Sequence, residues 1–392
     1  MAEYTARGAA NGDHIQKAGE PMTRVVVGMS GGVDSSVAAA LLKEQGYDVV
    51  GIMLRLWAEP PADPADGGEA APVRENACCS IESLTDARRV AAQLDIPFYL
   101  VNVEEPFRET IVDYFYDEYR AGRTPNPCLR CNRYIRFTLL LERALALGAD
   151  YLATGHYVRV DDDPLTGERR LRRAVDAAKD QSYVLHVLSQ YQLSHALFPL
   201  GEYTKPEVRA MAAERGLPVA TKTESQEICF VAANDYRGFV KRYAEANGQP
   251  APAPGPILDL SGRQLGAHTG LANYTVGQRK GLGISAREPL HVLRMDSARN
   301  AVIVGPAAAL ERDTFTVRQT TWTHDAPPDE PVSVAVKVRY KAQPVNGVVV
   351  PLPDGRAEIT LEQPIRAVTP GQAAVFYGGM DGDEVLGGGL IE

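Results

Sequence analysis

The stretch GMSGGVDSS, residues Gly28 to Ser36, decides the fold. Before it runs TRVVVG (Thr23–Gly28), short and β-branched. After it, VDSSVAAALLKEQG (Val33–Gly46) carries apolar residues at helical spacing and stops at a glycine. A strand that hands over to a helix through glycines lets backbone N–H groups converge on an anion, and the helix N-terminus adds partial positive charge. Ser30, Ser35 and Ser36 supply hydroxyl donors, and Asp34 is a carboxylate suited to the magnesium side of a phosphate. The Gly-Lys-Ser/Thr ending of a Walker A loop is absent, as is the Rossmann Gly-x-Gly-x-x-Gly. The competing reading is an ordinary glycine-rich turn with a Ser/Asp cap.

Outward from the loop, strands and helices alternate. DVVGIMLRL, PFYLVNV and ADYLATGHY read as strands; SLTDARRVAAQLD, a segment ending near Gly122 and RYIRFTLLLERALALG read as helices. That alternation implies a doubly wound α/β domain, its parallel sheet covered on both faces and its ligand at the C-terminal strand ends. Residues 58–76, rich in Pro, Ala, Gly and Asp, read as a mobile loop. TKPEVRAMAAERG and NDYRGFVKRYAEANG are further helices, and GQPAPAPGP (Gly248–Pro256) reads as a linker. Later segments such as TFTVRQTTW, VSVAVKVRY and QAAVFY alternate apolar and polar residues between Gly/Pro turns, as in an all-β barrel or sandwich. The expected division is a disordered polar tail (1–21), a catalytic domain (22–231), a small mixed central domain (232–310) and a C-terminal β-barrel (311–392).

Composition excludes several classes. With 45% hydrophobic and 23% charged residues the chain is globular rather than disordered. It has no apolar run of about 18 residues and no leading apolar core of a signal peptide. Five cysteines, an odd number, do not make a secreted disulfide framework, so a reducing cytoplasm is expected. A net charge of −9 argues against coating nucleic acid non-specifically but allows local basic patches. Arg120, Arg123, Arg130, Arg133 and Arg136 form one such patch without an intervening acid. Arg169, Arg170, Arg172 and Arg173 form another, for which a solvated face is the plain alternative.

The first patch surrounds NPCLRCN (Asn126–Asn132), with Cys128 and Cys131 three apart. Structural zinc wants four Cys or His ligands, and only one Cys-x-x-Cys exists. Cys78 and Cys79 are adjacent and read as a buried small pair; Cys229 alone would be a core cysteine. Beside a phosphate loop that resembles that of the ATP pyrophosphatases, a resemblance that implies adenylation, the set reads differently. Adenylation makes a carbonyl oxygen leave as AMP, and a persulfide on one cysteine supplies the incoming sulfur. A second cysteine releases that sulfur and leaves a disulfide. Arg123, Arg130 and Arg133 would favour the thiolate this requires.

GMSGGVDSS resembles the pyrophosphate loop of ATP pyrophosphatases, which cleave ATP between its α- and β-phosphates and transfer AMP to an oxygen. Together with GRTPNPCLRCNRYIRF, ATGHYVR, KDQSYVL, SQEICF, TVGQRKGLGI, VRYK and VTPGQAAVFY, in order over about residues 22–392, the chain resembles the bacterial tRNA-specific 2-thiouridylases. The resemblance implies ATP- and magnesium-dependent thiolation at carbon 2 of the wobble uridine in the Lys, Glu and Gln tRNAs. It implies an ATP site of Gly28, Met29, Ser30, Gly31, Gly32, Val33, Asp34 and Ser35, with Leu54 and Gly155. It makes Cys131 the nucleophile and Cys229 the persulfide carrier, places Asn126, Pro127 and Cys128 at the target base, and puts His156, Lys179, Asp180, Gln181, Arg339, Tyr340 and Gln372 on tRNA. It also implies a monomer fed with sulfur by a cysteine desulfurase through a carrier protein, and a uridine extruded from its stack. The β-barrel's KVRYK (Lys337–Lys341) would grip the RNA stem, and YTVGQRKGLG (Tyr274–Gly283) would order on RNA. Many relatives carry Asp where this chain has Cys128. Cys128, Cys131 and Cys229 holding a four-iron cluster is therefore an alternative. Another adenylating ligase, or an RNA-binding protein with a decayed nucleotide site, are the rival classes.

Overall fold

In the computed structural model, residues 22–59, 80–224, 228–231, 235–250, 252–366, 368–379 and 381–392 are described. The 1–21 tail, the loop expected over 58–76 from residue 60 onward, and Cys78 and Cys79 lie outside them. The valine run forms β1 (Arg24–Gly28), flanked by β2 (Asp48–Arg55), β3 (Phe98–Asn102) and β4 (Tyr151–Ala153). A hairpin of β5 (Val158–Asp162) and β6 (Arg169–Arg173) follows, then a short β7 (Ala196–Leu197). The sheet order is β3-β2-β1-β4-β7, with every pairing parallel. Val25 and Val27 pack on one side with α1 (Val33–Glu44), α2 (Ile81–Gln93) and the helix Lys205–Glu214. Val26 faces the other side, against the helix through 127–146. Both faces are buried, which is why the strand reads as continuously apolar.

Two helix starts differ from the expectation. α2 opens at Ile81, because the Ser80 hydroxyl accepts the Ser83 N–H (3.1 Å). The other helix opens at Pro127 rather than near Arg133. Asn126 caps it by accepting the Cys128 N–H (3.2 Å), and Pro127 occupies its first turn. The cysteine pair therefore stands on a helix, which widens to π-winding over Cys131–Leu140.

The middle of the chain holds β8 (Gly255–Leu258), β9 (Gln264–His268), β10 (His291–Asp296) and β11 (Ala301–Gly305), in the order β10-β11-β8-β9. Beyond it come β12 (Glu311–Trp322), β13 (Val332–Lys337), β14 (Val345–Leu352), β15 (Arg356–Arg366), β16 (Ala373–Gly378) and β17 (Glu384–Ile391). Their order, β12-β15-β14-β13-β16-β17 with β12 pairing back on β17, is a closed antiparallel barrel rather than a sandwich. Val317, Val349, Ile359, Phe376 and Ile391 fill it. Among the described residues no helix is long and apolar enough to cross a membrane.

The hairpin β5–β6 joins the two ends of the molecule. It belongs to the α/β part in sequence, yet Arg172 pairs with Glu384 and extends the barrel's sheet. Its arginines are not a solvated face. Arg172 binds Asp161, Asp381 and Asp383; Arg170 binds Asp161; Arg169 binds Asp162; and Arg159 of β5 also reaches Asp383. His324 spans the same seam, with Nδ1 2.6 Å from Glu168 and Nε2 3.3 Å from Glu384. The bond to Glu384, opposed by burial and helped by Glu168, pushes its imidazole up to about 9. A folded value above the ordinary one, near 6.5, means stabilisation that is full below that ordinary value and lost as pH rises through 9. The melting temperature is therefore expected to fall across that window. His324→Gln, measured over the same buffers, should flatten the fall; an unchanged profile would refute the assignment.

Candidate active site at the switch point of the parallel sheet

Connections leave β1 and β4 in opposite directions, so a crevice opens at their C-terminal ends, where open α/β sheets bind ligands. The Gly28–Ser35 loop and Gly155 form its walls. The Met29 N–H bonds the Ile52 carbonyl (2.8 Å), which carries the β1 register into the loop. Gly31 sits at φ +70°, and a Cβ there would land on the Ser83 carbonyl oxygen. At Gly155 a Cβ would stand 2.7 Å from the Ser35 nitrogen. Both glycines are thus fixed by close backbone approach. The Ser35 hydroxyl accepts the Ser30 N–H (3.1 Å), whereas the Ser36 hydroxyl turns back to the Gly32 carbonyl (2.8 Å) and serves the helix. Leu54, near the end of β2, is half-buried between two apolar clusters.

Sequence reading missed a charged network behind the loop. Oδ1 of Asp34 accepts from the Tyr157 hydroxyl (2.8 Å) and from Lys205 (2.6 Å). Lys205 also binds Glu224 (2.6 Å), and Glu224 in turn binds Lys179. Burial pushes the Glu224 carboxyl up, but the two lysines prevail and hold it at about 2. Burial, then Asp34, pushes the Tyr157 hydroxyl up, so it stays a donor. Lys205 is 7% exposed, in the first turn of a helix opened by the Thr204–Glu207 capping box. That capping signal is legible; the return of its ammonium to Asp34 is not. Gln181 frames the crevice by accepting the Tyr157 N–H (2.9 Å).

Buried Asp180 accepts from the backbone N–H groups of Ala174 and Ser182 (3.2 Å each) and from the Ser182 hydroxyl (2.8 Å). His156 is buried too. Burial, then Arg136, holds its pKa well below the usual range, so the ring is neutral. Nε2 accepts from Arg136 (3.1 Å), leaving Nδ1–H to donate to Thr154 (2.8 Å). Both residues, expected on tRNA, face the protein in this conformation and shape the walls. Lys179 is engaged by Glu224, and Gln372 donates to the Thr124 carbonyl (2.9 Å).

That last bond fixes the cysteine segment to the barrel. The Thr124 N–H also donates to the Pro370 carbonyl (2.9 Å), and Gly371, at φ +90°, leaves no room for a Cβ against Thr124. Asn132, almost wholly buried, donates to the Val184 carbonyl (3.0 Å). Exposed Cys128 lies near Tyr340, whose hydroxyl is pushed up by burial, Asp180, Cys128 and Glu224. Arg339 reaches Thr369 (3.3 Å). The arginine patch is largely committed. Arg123 is paired with Glu118 (2.5 Å), and the Arg130 guanidinium lies 4.2 Å over the Tyr114 ring. Arg123 is therefore neutralised rather than directed at a thiol.

Cys131 and Cys229, both half-buried, pack on one apolar cluster. Phe230, 1% exposed, anchors Cys229 there against Phe115 (5.2 Å between rings) and Phe107 (5.8 Å). Among the described residues, no group of three His, Cys, Asp or Glu side chains is gathered to hold a metal. Cys128, Cys131 and Cys229 therefore do not form a ready cluster cage in this arrangement.

Three family models match in chain order: the tRNA methyl transferase HUP domain over residues 23–233, the tRNA methyl transferase PRC-barrel domain over 238–306, and the Aminomethyltransferase beta-barrel domain over 312–391. The tRNA-specific 2-thiouridylase MnmA of Chloroflexus aurantiacus is 52% identical over 370 residues, 94% of this chain and 98% of that protein. The chain belongs to the tRNA-specific 2-thiouridylase family. Its counterpart of the same name in Geotalea uraniireducens is 52% identical over 369 residues, covering 94% of this chain and 95% of its own. Among solved structures, the U34-tRNA thiolase NcsA from Methanococcus maripaludis, with its 4Fe–4S cluster, aligns with 61% of this thiouridylase-family chain and 70% of its own length, at 19% identity and a TM-score of 0.34.

Proposed function

We propose that this chain is an ATP-dependent tRNA sulfurtransferase that replaces O2 of the wobble uridine with sulfur in the Lys, Glu and Gln tRNAs. The observation that carries the reading is the pairing of an adenylation-type loop with Cys131 and Cys229 on one cluster. The triphosphate lies along Gly28–Ser35 and Gly155, with Leu54 beside the adenosine. Uridine O2 attacks the α-phosphorus, pyrophosphate leaves, and the base becomes an O-adenylate. Cys229 carries an outer persulfide sulfur, delivered by a desulfurase-fed carrier. The Cys131 thiolate attacks the Cys229 sulfur and breaks the persulfide bond. The freed sulfur adds at carbon 2 and AMP departs. A Cys131–Cys229 disulfide remains, and an external dithiol returns it to two thiols.

Magnesium would come with the nucleotide, held mainly by phosphate oxygens, and would neutralise charge on the leaving pyrophosphate. Asp34 is the loop carboxylate that would stand beside it, with Oδ1 held by Lys205 and Tyr157. Asn126, Pro127 and Cys128 border the base pocket. The catalytic unit is 22–231, acting as a monomer with a 232–310 middle unit, and the 311–392 barrel seats the RNA.

The test is thiolation of a Lys-tRNA transcript under anaerobic conditions, with wild type and single Cys→Ala variants at 128, 131 and 229. Nucleoside mass identifies the product, and AMP and pyrophosphate are counted beside it. One AMP per 2-thiouridine is expected. A methylated uridine, or full activity without Cys229, overturns the proposal. Iron and sulfide analysis of the same preparation decides the cluster alternative.

A further inference from the structure

We propose that Cys128 is the resolving thiol of the reaction cycle: it takes Cys131 out of the Cys131–Cys229 disulfide, frees Cys229 for a new persulfide, and presents the oxidised pair to solvent as a Cys128–Cys131 disulfide. This role rests on the two-cysteine scheme proposed above, which uses two of the three cysteines on described elements and leaves its disulfide where a reductant meets it poorly. Cys131 and Cys229 are half-buried and pack on the cluster of Phe107, Phe115 and Phe230. Cys128 is exposed. It stands in the first turn of the helix through 127–146, three residues before Cys131. Residues three apart on a helix carry their Cβ atoms about 5–6 Å apart. A disulfide wants about 3.5–4.5 Å between those atoms, so the pair lacks roughly 1–2 Å. The first turn is the part of a helix that can give it, since its N–H groups have no intrahelical acceptor. The Cys128 N–H bonds the Asn126 side chain (3.2 Å) instead.

The residues around the two cysteines are committed elsewhere. Leu129 is buried in the core, and Arg130 donates to the Thr110 carbonyl (3.0 Å) with its guanidinium 4.2 Å over the Tyr114 ring. Buried Asn132, just beyond the pair, donates to the Val184 carbonyl (3.0 Å). Cys131 is thus held in place, and Cys128 is the end of the pair that water reaches. In the exchange, the Cys128 thiolate attacks Sγ of Cys131 and the Cys131–Cys229 bond breaks. Its electron pair leaves on Cys229, which takes up the proton that Cys128 gave up. Their shared helix turn directs the attack to Cys131 rather than Cys229. An external dithiol then reduces the Cys128–Cys131 bond by the same chemistry and itself closes to a cyclic disulfide. The helix N-terminus favours the Cys128 thiolate, as it does in other Cys-x-x-Cys pairs.

The test uses the full chain, loaded with persulfide by a cysteine desulfurase under anaerobic conditions. It is given Lys-tRNA transcript and ATP for one turnover without reductant and quenched with N-ethylmaleimide. Its cysteine peptides are then mapped by mass. The wild type is expected to show a Cys128–Cys131 disulfide with Cys229 alkylated, and Cys128→Ala to hold the Cys131–Cys229 disulfide. Oxidised enzyme recovered from the same turnover is next treated with dithiothreitol, and the return of the Cys131 thiol is timed. That return should be at least about tenfold slower in Cys128→Ala and in Cys128→Ser, because the reductant must enter a half-buried bond. Should either variant melt early, the wild-type peptide map decides alone. A wild type that keeps the Cys131–Cys229 disulfide overturns the inference, as does a Cys128→Ala enzyme that recovers its Cys131 thiol at the wild-type rate. Sulfur entering the base with no protein disulfide of any kind, and iron bound, would instead remove the two-cysteine scheme beneath it, and the resolving role with it.

Discussion

Exchanging Cys229 for serine is expected to stop thiolation, with the rate falling by at least ~10³-fold, the scale on which covalent participants act. The chemistry dictates the size. A hydroxyl cannot hold an outer sulfur. The fold should tolerate the change, because the anchor of this segment is Phe230, wedged among Phe107, Phe115 and Phe239, and not the thiol. Cys229 is also no member of the hydrogen bonds that set the nucleotide loop, which run among Ser30, Ser35, Asp34, Tyr157 and Lys205. Pyrophosphate release in a single turnover with tRNA should therefore persist at near the wild-type amplitude while no sulfur enters the base. Quenched-flow analysis of both products from one reaction separates the steps. Parallel loss of pyrophosphate release, with the melting temperature intact, would place Cys229 in adenylation and end the two-cysteine scheme.

Gly31→Ala should remove activity from the other side. At φ +70° a side chain costs roughly 1–2 kcal/mol in backbone conformation alone. The new Cβ would also meet the Ser83 carbonyl, which is backbone in the first turn of α2 and cannot swing away as a side chain would. Forcing α2 outward adds about 1–3 kcal/mol of overpacking strain. The sum, some 2–5 kcal/mol, should appear partly as a lower melting temperature and partly as lost ATP affinity. Calorimetric titration of ATP into the variant is expected to show at least a ~30-fold weaker complex, taking about 2 kcal/mol in binding. Affinity within threefold of wild type would mean that the loop reaches its working shape without the left-handed glycine.

What the sequence made legible was local. β-Branched runs, a glycine-bearing βα turn and alternating segments between turn residues each declare themselves within about ten residues, so the parallel sheet, the phosphate loop and the barrel could be read directly. The start of the cysteine helix was also written there, since Asn126 before Pro127 is a cap followed by a first-turn proline. A helix begun only near Arg133 passes over that signal. Distant pairings were illegible. Nothing near Lys205 says that its ammonium reaches Asp34, and nothing in ERRLRR says that its acids lie partly on Asp381 and Asp383. A run of arginines looks alike whether it meets water, RNA or carboxylates from the far end of the chain. The candidate site shares this limit: its residues were named by motif, but the burial of His156 and Asp180 depends on packing that no single stretch encodes.

β17 ties three parts of the fold together. It shuts the barrel against β12, pairs with β16, and gives the hairpin its partner at Glu384. On the ribosome, the α/β half emerges early with an arginine-lined strand edge that nothing yet covers. Its neighbour arrives only once Glu384 of β17 has been made. A chain stopped before β17 would leave that edge without its partner and the barrel unclosed, a species for chaperones and proteases to handle.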